Sequence, residues 1–265
     1  MAEVNSVKKA LAILDLLSNT PNLGLADISK KLGFARSTTH GLLETLSRAQ
    51  LLYRNPDTGT YSLGIRLIEL GYCAQTGLDL VRIAAPFLKG LNLQFDETVH
   101  LTVLDNDEVL YIDCIESQRR LRTYSVIGIR APLHCTSVGK AILAFQDDET
   151  IARIVARRGL PAFTANTITT ETRLRDEIAR IRACGYAIDN MEHEEHLRCI
   201  GAPIRNARGE VFASISLSGP AERNTLERLE QMAPALLEAT AAISHRLGYR
   251  TREFGRVRGD STGGI

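Results

Sequence analysis

The chain has 265 residues, is 44% hydrophobic and 24% charged, and sets 32 Lys and Arg against 31 Asp and Glu for a formal net charge of +1. That composition describes a folded globular protein with room for two ordinary domains; it excludes a disordered chain and a polycation that seeks nucleic acid by bulk charge. No apolar run approaches the ~18 residues of a membrane span and no charged-then-apolar leader opens the chain, so the expected location is the cytoplasm with no membrane partner.

Taken in order, Asn5 and Ser6 offer N-cap oxygens ahead of Val7, Ala10, Leu11, Leu14 and Leu17, whose spacing predicts a helix to about Ser18. Asn19-Thr20-Pro21-Asn22 ends it. Leu25, Ile28 and Leu32 form a second helix stopped by Gly33, and Leu42, Leu43, Leu46 and Ala49 stripe a third. Ser37, His40, Gly41, Glu44 and Arg48 project from the opposite side of that third helix, a polar face of the kind that enters a major groove. A merely solvated helix pair has the same pattern. Leu51 to Arg54 and Thr60 to Leu63 flank the turn Asn55-Pro56-Asp57-Thr58-Gly59 and predict a hairpin, with Arg54, Asn55 and Thr58 as wing candidates for contact with the DNA backbone.

From Ile65 the spacing of Leu67, Leu70, Ala74 and Leu78 predicts a connecting helix, and Val81, Ala84, Ala85, Leu88, Leu91 and Phe95 predict another, bent or started late by Pro86. Val99 to Val103 and Val109 to Ile115 then alternate around Asp105-Asn106-Asp107-Glu108 as a hairpin, and Leu121 to Ile127 reads as a further strand. Short helices are expected from Ser137 to Phe145 and from about Asp148 to Arg158. A longer one is capped by Thr170 and ended by Gly185. Tyr186 to Asn190 predicts a strand, Met191 to His196 a charged loop, and Arg198 to Arg205 with Val211 to Ser218 another hairpin. A long helix from Leu226 to Leu247 closes the domain, and the glycine- and arginine-rich residues after Tyr249 read as a disordered tail. Interleaved hairpins and helices imply an α+β domain with an antiparallel sheet.

Two stretches of this second domain gather small polar groups. Leu133-His134-Cys135-Thr136-Ser137-Val138-Gly139-Lys140 runs from a loop into a helix N-terminus, where free N–H groups favour an anion, although Ser137 could serve only as a cap. The other runs from Asp189 through Cys199 to Ser216 and Ser218, which share one face of a strand and need partners if that face is buried. A catalytic reading would pair Cys199 or Cys135 with His134, His193 or His196, and a zinc reading would combine the same residue types. The spacing supports neither. The five cysteines, Cys73, Cys114, Cys135, Cys184 and Cys199, contain no CxxC pair and are expected to be thiols. No catalytic residue, metal or cofactor is therefore expected.

These motifs, in this order, resemble the IclR family of bacterial transcriptional regulators over about Val4 to Tyr249. The likeness rests on Ser6-Val7 to Leu17, Arg36-Ser37-Thr38-Thr39-His40 to Leu46, Gly59 to Gly64, Leu133 to Ala141, Cys184-Gly185-Tyr186-Ala187, Cys199 to Ile204 and Ala213 to Pro220. The resemblance implies a winged helix-turn-helix over residues 1–64, a linker helix over 65–79, and a GAF-like α+β effector-binding domain over 80–250 followed by the tail at 251–265. It implies binding to double-stranded DNA at a palindromic operator, as a homodimer or dimer of dimers, under control of a small organic-acid effector. DNA contacts would fall to Arg36, Ser37, Thr38, Thr39, His40, Glu44, Arg48 and Arg54. The effector would meet Ser137, Val138, Gly139, Asp189, Cys199, Ser216 and Ser218, with Thr123 a weaker candidate. One departure stands out: the family commonly has glycine where this chain has His196, a bulky, titratable side chain that could narrow the pocket or contact the ligand. The competing reading is a small-molecule sensor or metabolic enzyme whose winged helix serves protein contacts.

Overall fold

The computed structural model describes residues 4–76, 79–123 and 127–250. The chain divides into two compact units, Met1–Leu78 and Asp79–Ile265. The predicted tail from residue 251 and the last positions of the predicted connecting helix, 77 and 78, lie outside the described residues.

In the first unit, α1 (Asn5–Asn19), α2 (Leu25–Leu32) and α3 (Arg36–Arg48) precede a two-stranded hairpin of β1 (Leu52–Arg54) and β2 (Tyr61–Leu63), and α4 (Arg66–Thr76) follows. Ile13, Leu17, Ile28, Leu43, Leu46, Leu52 and Tyr61 form one buried cluster, so each of the first three helices and both strands contribute to it. Asn5 and Ser6 are not caps: α1 starts at Asn5, its N-cap is Val4, and no side chain caps it. Gly33 sits at φ +67°, where its N–H and that of Phe34 return to the carbonyls of Lys30 and Ser29. A glycine adopts that left-handed turn without the Cβ penalty, which fixes the angle between α2 and α3. At the hairpin tip the Asn55 carboxamide oxygen accepts the N–H groups of Asp57 and Thr58, a side-chain-closed turn.

The second unit holds α5 (Asp79–Phe95), β3 (Thr98–Asp105), β4 (Glu108–Ile115), β5 (Arg130–Ala131), α6 (Ser137–Leu143), α7 (Asp148–Arg158), α8 (Glu171–Cys184), β6 (Ala187–Asn190), β7 (Leu197–Arg205), β8 (Val211–Pro220) and α9 (Leu226–Arg246). Its strands form one six-stranded sheet in the order β5-β4-β3-β8-β7-β6, antiparallel throughout. Asn106 and Asp107 both take positive φ, the backbone that lets a two-residue turn match the twist of β3 and β4. Pro86 lies inside α5 and does not delay its start. The strand predicted over Leu121 to Ile127 is absent from residues 121–123 and 127, and residues 124–126 lie outside the described residues. Just ahead of residues 124–126, Arg119 and Arg122 pair with Asp96 and Glu116, and the short β5 ladders with β4.

The alternation of the central strands sorts the two faces of the sheet. Val99, Leu101, Ile200, Ala202, Ala213, Ile215 and Leu217 join the apolar stripes of α5 and α9, including Ala84, Leu88, Leu91, Leu229 and Leu236, in one core. The intervening residues His100, Thr102, Cys199, Gly201, Ser214, Ser216 and Ser218 therefore face the other way, the side on which α6 packs against β7 and β8.

Candidate functional site

On that polar face the register brings two rows together. Asp189 on β6 lies opposite Cys199 on β7, which lies opposite Ser218 on β8; Gly201 lies opposite Ser216, which lies opposite His100 on β3. Between these rows and the start of α6 is a cavity of about 270 Å³, lined by His100, Tyr111, Thr123, Arg130, Thr136, Ser137, Asp189, His193, Glu194, Cys199, Ser216 and Ser218, among others. Gly201 makes the close packing possible. A Cβ at that position would fall 2.7 Å from the Ser137 carbonyl carbon and 2.8 Å from its oxygen, so any side chain would push α6 off the sheet.

Burial sets the chemistry of the lining. His100 is held neutral, its pKa drawn down to about 4, and its Nδ1 lies 3.2 Å from Ser216 Oγ and 3.3 Å from Ser218 Oγ. Burial pushes the Asp189 carboxyl up to about 7, against the pull of the Glu192 N–H that it accepts at 2.7 Å. Burial likewise pushes the thiol of Cys199 up and that of Cys135 to about 12, so both are protonated at neutral pH. A protonated thiol is a poor nucleophile and a poor metal ligand. Among the described residues no group of three His, Cys, Asp or Glu is placed to hold a metal. The hydroxyl of Thr123, at the wall, is buried with no hydrogen-bond partner among the described residues.

Of the eight effector residues expected from the sequence, Ser137, Asp189, Cys199, Ser216, Ser218 and Thr123 line this cavity, whereas Val138 and Gly139 do not. Val138 is buried in the apolar cluster beneath α6, and its carbonyl accepts Ser214 Oγ. The Gly139 N–H is taken by Thr136 Oγ1, so Thr136, and not Ser137, is the helix cap. His196 does not narrow the cavity. Its side chain is 81% exposed beside Glu222, and its backbone sits at φ +62°, a conformation that explains why glycine suits this position. Sequence reasoning missed His100, Tyr111, Arg130, Thr136, His193 and Glu194 as wall residues. The strict alternation of His100 with Val99 and Leu101 carried a usable signal; Arg130, brought in by a long loop, had none.

In the first unit, Arg36, Ser37, Thr38, His40 and Arg48 are exposed along α3, and Arg54 is exposed on β1. Glu44 is half-buried and pairs with Arg48 at 3.5 Å. Thr39 has to be removed from the set: it is fully buried, its hydroxyl bonded to the Ala35 carbonyl, and it belongs to the packing side of α3.

Two family models match the chain: "Bacterial transcriptional regulator IclR C-terminal" over residues 73–245 and "IclR helix-turn-helix domain" over residues 6–56. The chain belongs to the IclR family. Among its IclR relatives, the HTH-type transcriptional regulator KdgR of Escherichia coli is 35% identical over 251 residues, covering 95% of each chain. The crystal structure of the Thermotoga maritima IclR superposes with a TM-score of 0.75 at 33% identity, covering 93% of this chain and 100% of the other. An IclR homologue from Microbacterium hydrocarbonoxydans, solved in complex with 4-hydroxybenzoate, superposes with a TM-score of 0.79 at 25% identity over 91% of this chain and 98% of its own. The Escherichia coli relative is named as a regulator of transcription and not as an enzyme. No helix among the described residues is long and apolar enough to cross a membrane.

Proposed function

We propose that this IclR-family protein binds a palindromic operator through α3 and the β1–β2 wing, and that a small organic acid held in the 270 Å³ cavity changes its affinity for that operator. The observation that carries the reading is the cavity itself: Asp189, Cys199, Ser216, Ser218 and the Thr123 hydroxyl, which has no partner among the described residues, meet around one space. Ser137 at the start of α6 offers a donor for a carboxylate, and Asp189 with the two serines supplies partners for hydroxyl or carbonyl groups. The complex of the Microbacterium homologue with 4-hydroxybenzoate supports a carboxylic acid as the class of ligand. Control of a catabolic operon follows as the use for such a sensor.

The protein acts as a homodimer or dimer of dimers in this reading. Val7 and Leu11 on α1, with Ile65 and Ile68 at α4, are exposed apolar side chains of the first unit, 54%, 55%, 67% and 68% exposed. A second copy that covers them would set two α3 helices to read half-sites about one DNA turn, ~34 Å, apart. Effector and DNA are then linked by a coupling of ~1 to 3 kcal/mol. The test is a thermal-shift screen of small carboxylic acids, 4-hydroxybenzoate included, against the wild type and the Cys199→Ala and Ser216→Ala variants. A stabilising acid whose effect both variants lose supports the site; an acid whose effect both retain moves the ligand elsewhere.

A further inference from the structure

Lys140 is 1% exposed and heads the fully buried side chains in size among the described residues. Its ammonium has three N–H bonds and meets three acceptors: Glu177 Oε1 on α8 at 2.9 Å, the Ile188 carbonyl on β6 at 2.6 Å, and Glu192 Oε1 in the β6–β7 loop at 2.5 Å. Burying such a group is costly unless every partner is in place, and an apolar side chain of similar length would fill the same space without that cost. Stability alone therefore does not account for it.

What the three bonds share is the surroundings of Asp189. Ile188 precedes it in β6, and the Glu192 N–H donates to its Oδ1 at 2.7 Å. Lys140 thus grips the chain on both sides of the one buried acidic side chain of the cavity wall. Threonines hold the outer side of the same loop, Thr164 Oγ1 bonding to the Met191 carbonyl and Thr167 Oγ1 to that of Glu192, each at 2.6 Å. Glu177 has a second cation in Arg180, at 2.8 Å, whereas Glu192 is left with one carboxylate oxygen buried and without a hydrogen-bond partner among the described residues. The loop's charge balance depends on Lys140.

We propose that Lys140 is the positioning residue of the cavity: without touching a ligand, it fixes where the Asp189 carboxyl sits and how much charge that carboxyl carries. This rests on the reading of the cavity as the effector site. The groups around Asp189 are Glu192, His193 and Glu194 from its own loop, Cys199 from β7 and Lys140 from α6. Tyr111 from β4, His100 from β3 and Cys135 ahead of α6 complete the set, and Arg130 on β5 lines the same cavity with its guanidinium engaged by Asp105. The Glu192 and His193 N–H groups and the Lys140 ammonium favour the ionised Asp189 carboxylate, and the charge of the Glu192 side chain opposes it. Removing each charge must then move Asp189 in opposite directions, which loss of packing does not do.

The experiment follows the Asp189 carboxyl by carbon-13 NMR in the full chain, assigned by its absence in Asp189→Asn, across a pH titration. Lys140→Met is expected to raise the titration midpoint by about half a unit or more, a fraction of what a charge at contact distance produces. Glu192→Gln is expected to lower it, and the double variant to return toward the wild type. A midpoint that stays put in folded variants, or that moves the same way in both, overturns the proposal. If Lys140→Met does not fold, Glu192→Gln decides alone: a downward shift is expected and an unmoved midpoint contradicts. Because no ligand is added, this outcome is separate from whether any organic acid binds.

Discussion

His100 and Ser216 face each other across the β3–β8 ladder with 3.2 Å between Nδ1 and Oγ, both buried. The pair shows the chemistry of the polar face of the sheet: a neutral imidazole and two serine hydroxyls form a stretch of cavity wall that offers hydrogen bonds without fixed charge, beside the titrating carboxyl of Asp189.

Two opposite pH dependences of stability follow. The unfolded chain protonates His100 near 6.5 and the native state near 4, so the stability from neutral His100 is full above 6.5 and is lost as pH falls toward 4. Asp189 ionises near 3.8 unfolded and about 7 folded, so its protonated form adds stability as pH falls from about 7 toward 4. At about 1.4 kcal/mol per unit these are on the order of 3 and 4 kcal/mol. Chemical denaturation from pH 4 to 8 is expected to show Asp189→Asn gaining on the wild type as pH rises through that window, and His100→Gln gaining as pH falls from 6.5. Curves parallel to the wild type would contradict the burial of both groups.

Gly201→Ala tests the packing that creates the cavity. The added methyl meets the Ser137 backbone at 2.7 to 2.8 Å, so α6 must shift. A loss of about 1 to 3 kcal/mol is expected, measured by urea denaturation, together with weaker binding of any acid that stabilises the wild type.

His196→Gly should do the reverse. Releasing a non-glycine residue from φ +62° is expected to add about 1 kcal/mol, raising Tm by ~2 to 4 °C, without altering the response to ligand. A changed ligand response would place the imidazole closer to the cavity than its exposure indicates.

On α3, Arg36→Ala and Arg48→Ala are expected to weaken operator binding while leaving Tm within about 1 °C of the wild type, since both are exposed. Thr39→Ala is expected to lower stability by about 1 kcal/mol through loss of a buried hydrogen bond. Its effect on DNA affinity should be confined to that loss. Fluorescence anisotropy with an operator duplex, at stated salt, separates the two classes.

Much of the architecture was legible because local signals agreed with the final packing. The Gly33 turn, the Thr170 cap and Gly185 stop of α8, and the alternation of β3, β7 and β8 each encode their outcome within a few residues. What stayed hidden depends on contacts distant in sequence. Leu121 to Ile127 alternates like a strand, yet residues 121–123 and 127 form none; Arg119 pairs instead with Asp96, and Arg130 is set at the cavity by the β4–β5 ladder. Thr39 reads as one more polar residue in an Arg-Ser-Thr-Thr-His run, and only the docking of α3 shows that its hydroxyl turns inward. Nothing local to Lys140 shows that its ammonium is buried; that depends on Glu177 from α8 and Glu192 from the β6–β7 loop.

Control of a DNA-reading helix by a filled cavity is tested most directly by a genomic-fragment binding selection with the purified protein at fixed salt, with and without pooled small organic acids, because phosphate contacts make affinity salt-dependent. Enrichment of a palindromic site with half-sites about one turn apart is expected, with a change in that enrichment when the acid that stabilises the protein is present. Failure to enrich any site in either condition, with folded protein, would contradict this and favour a sensor whose winged helix contacts protein.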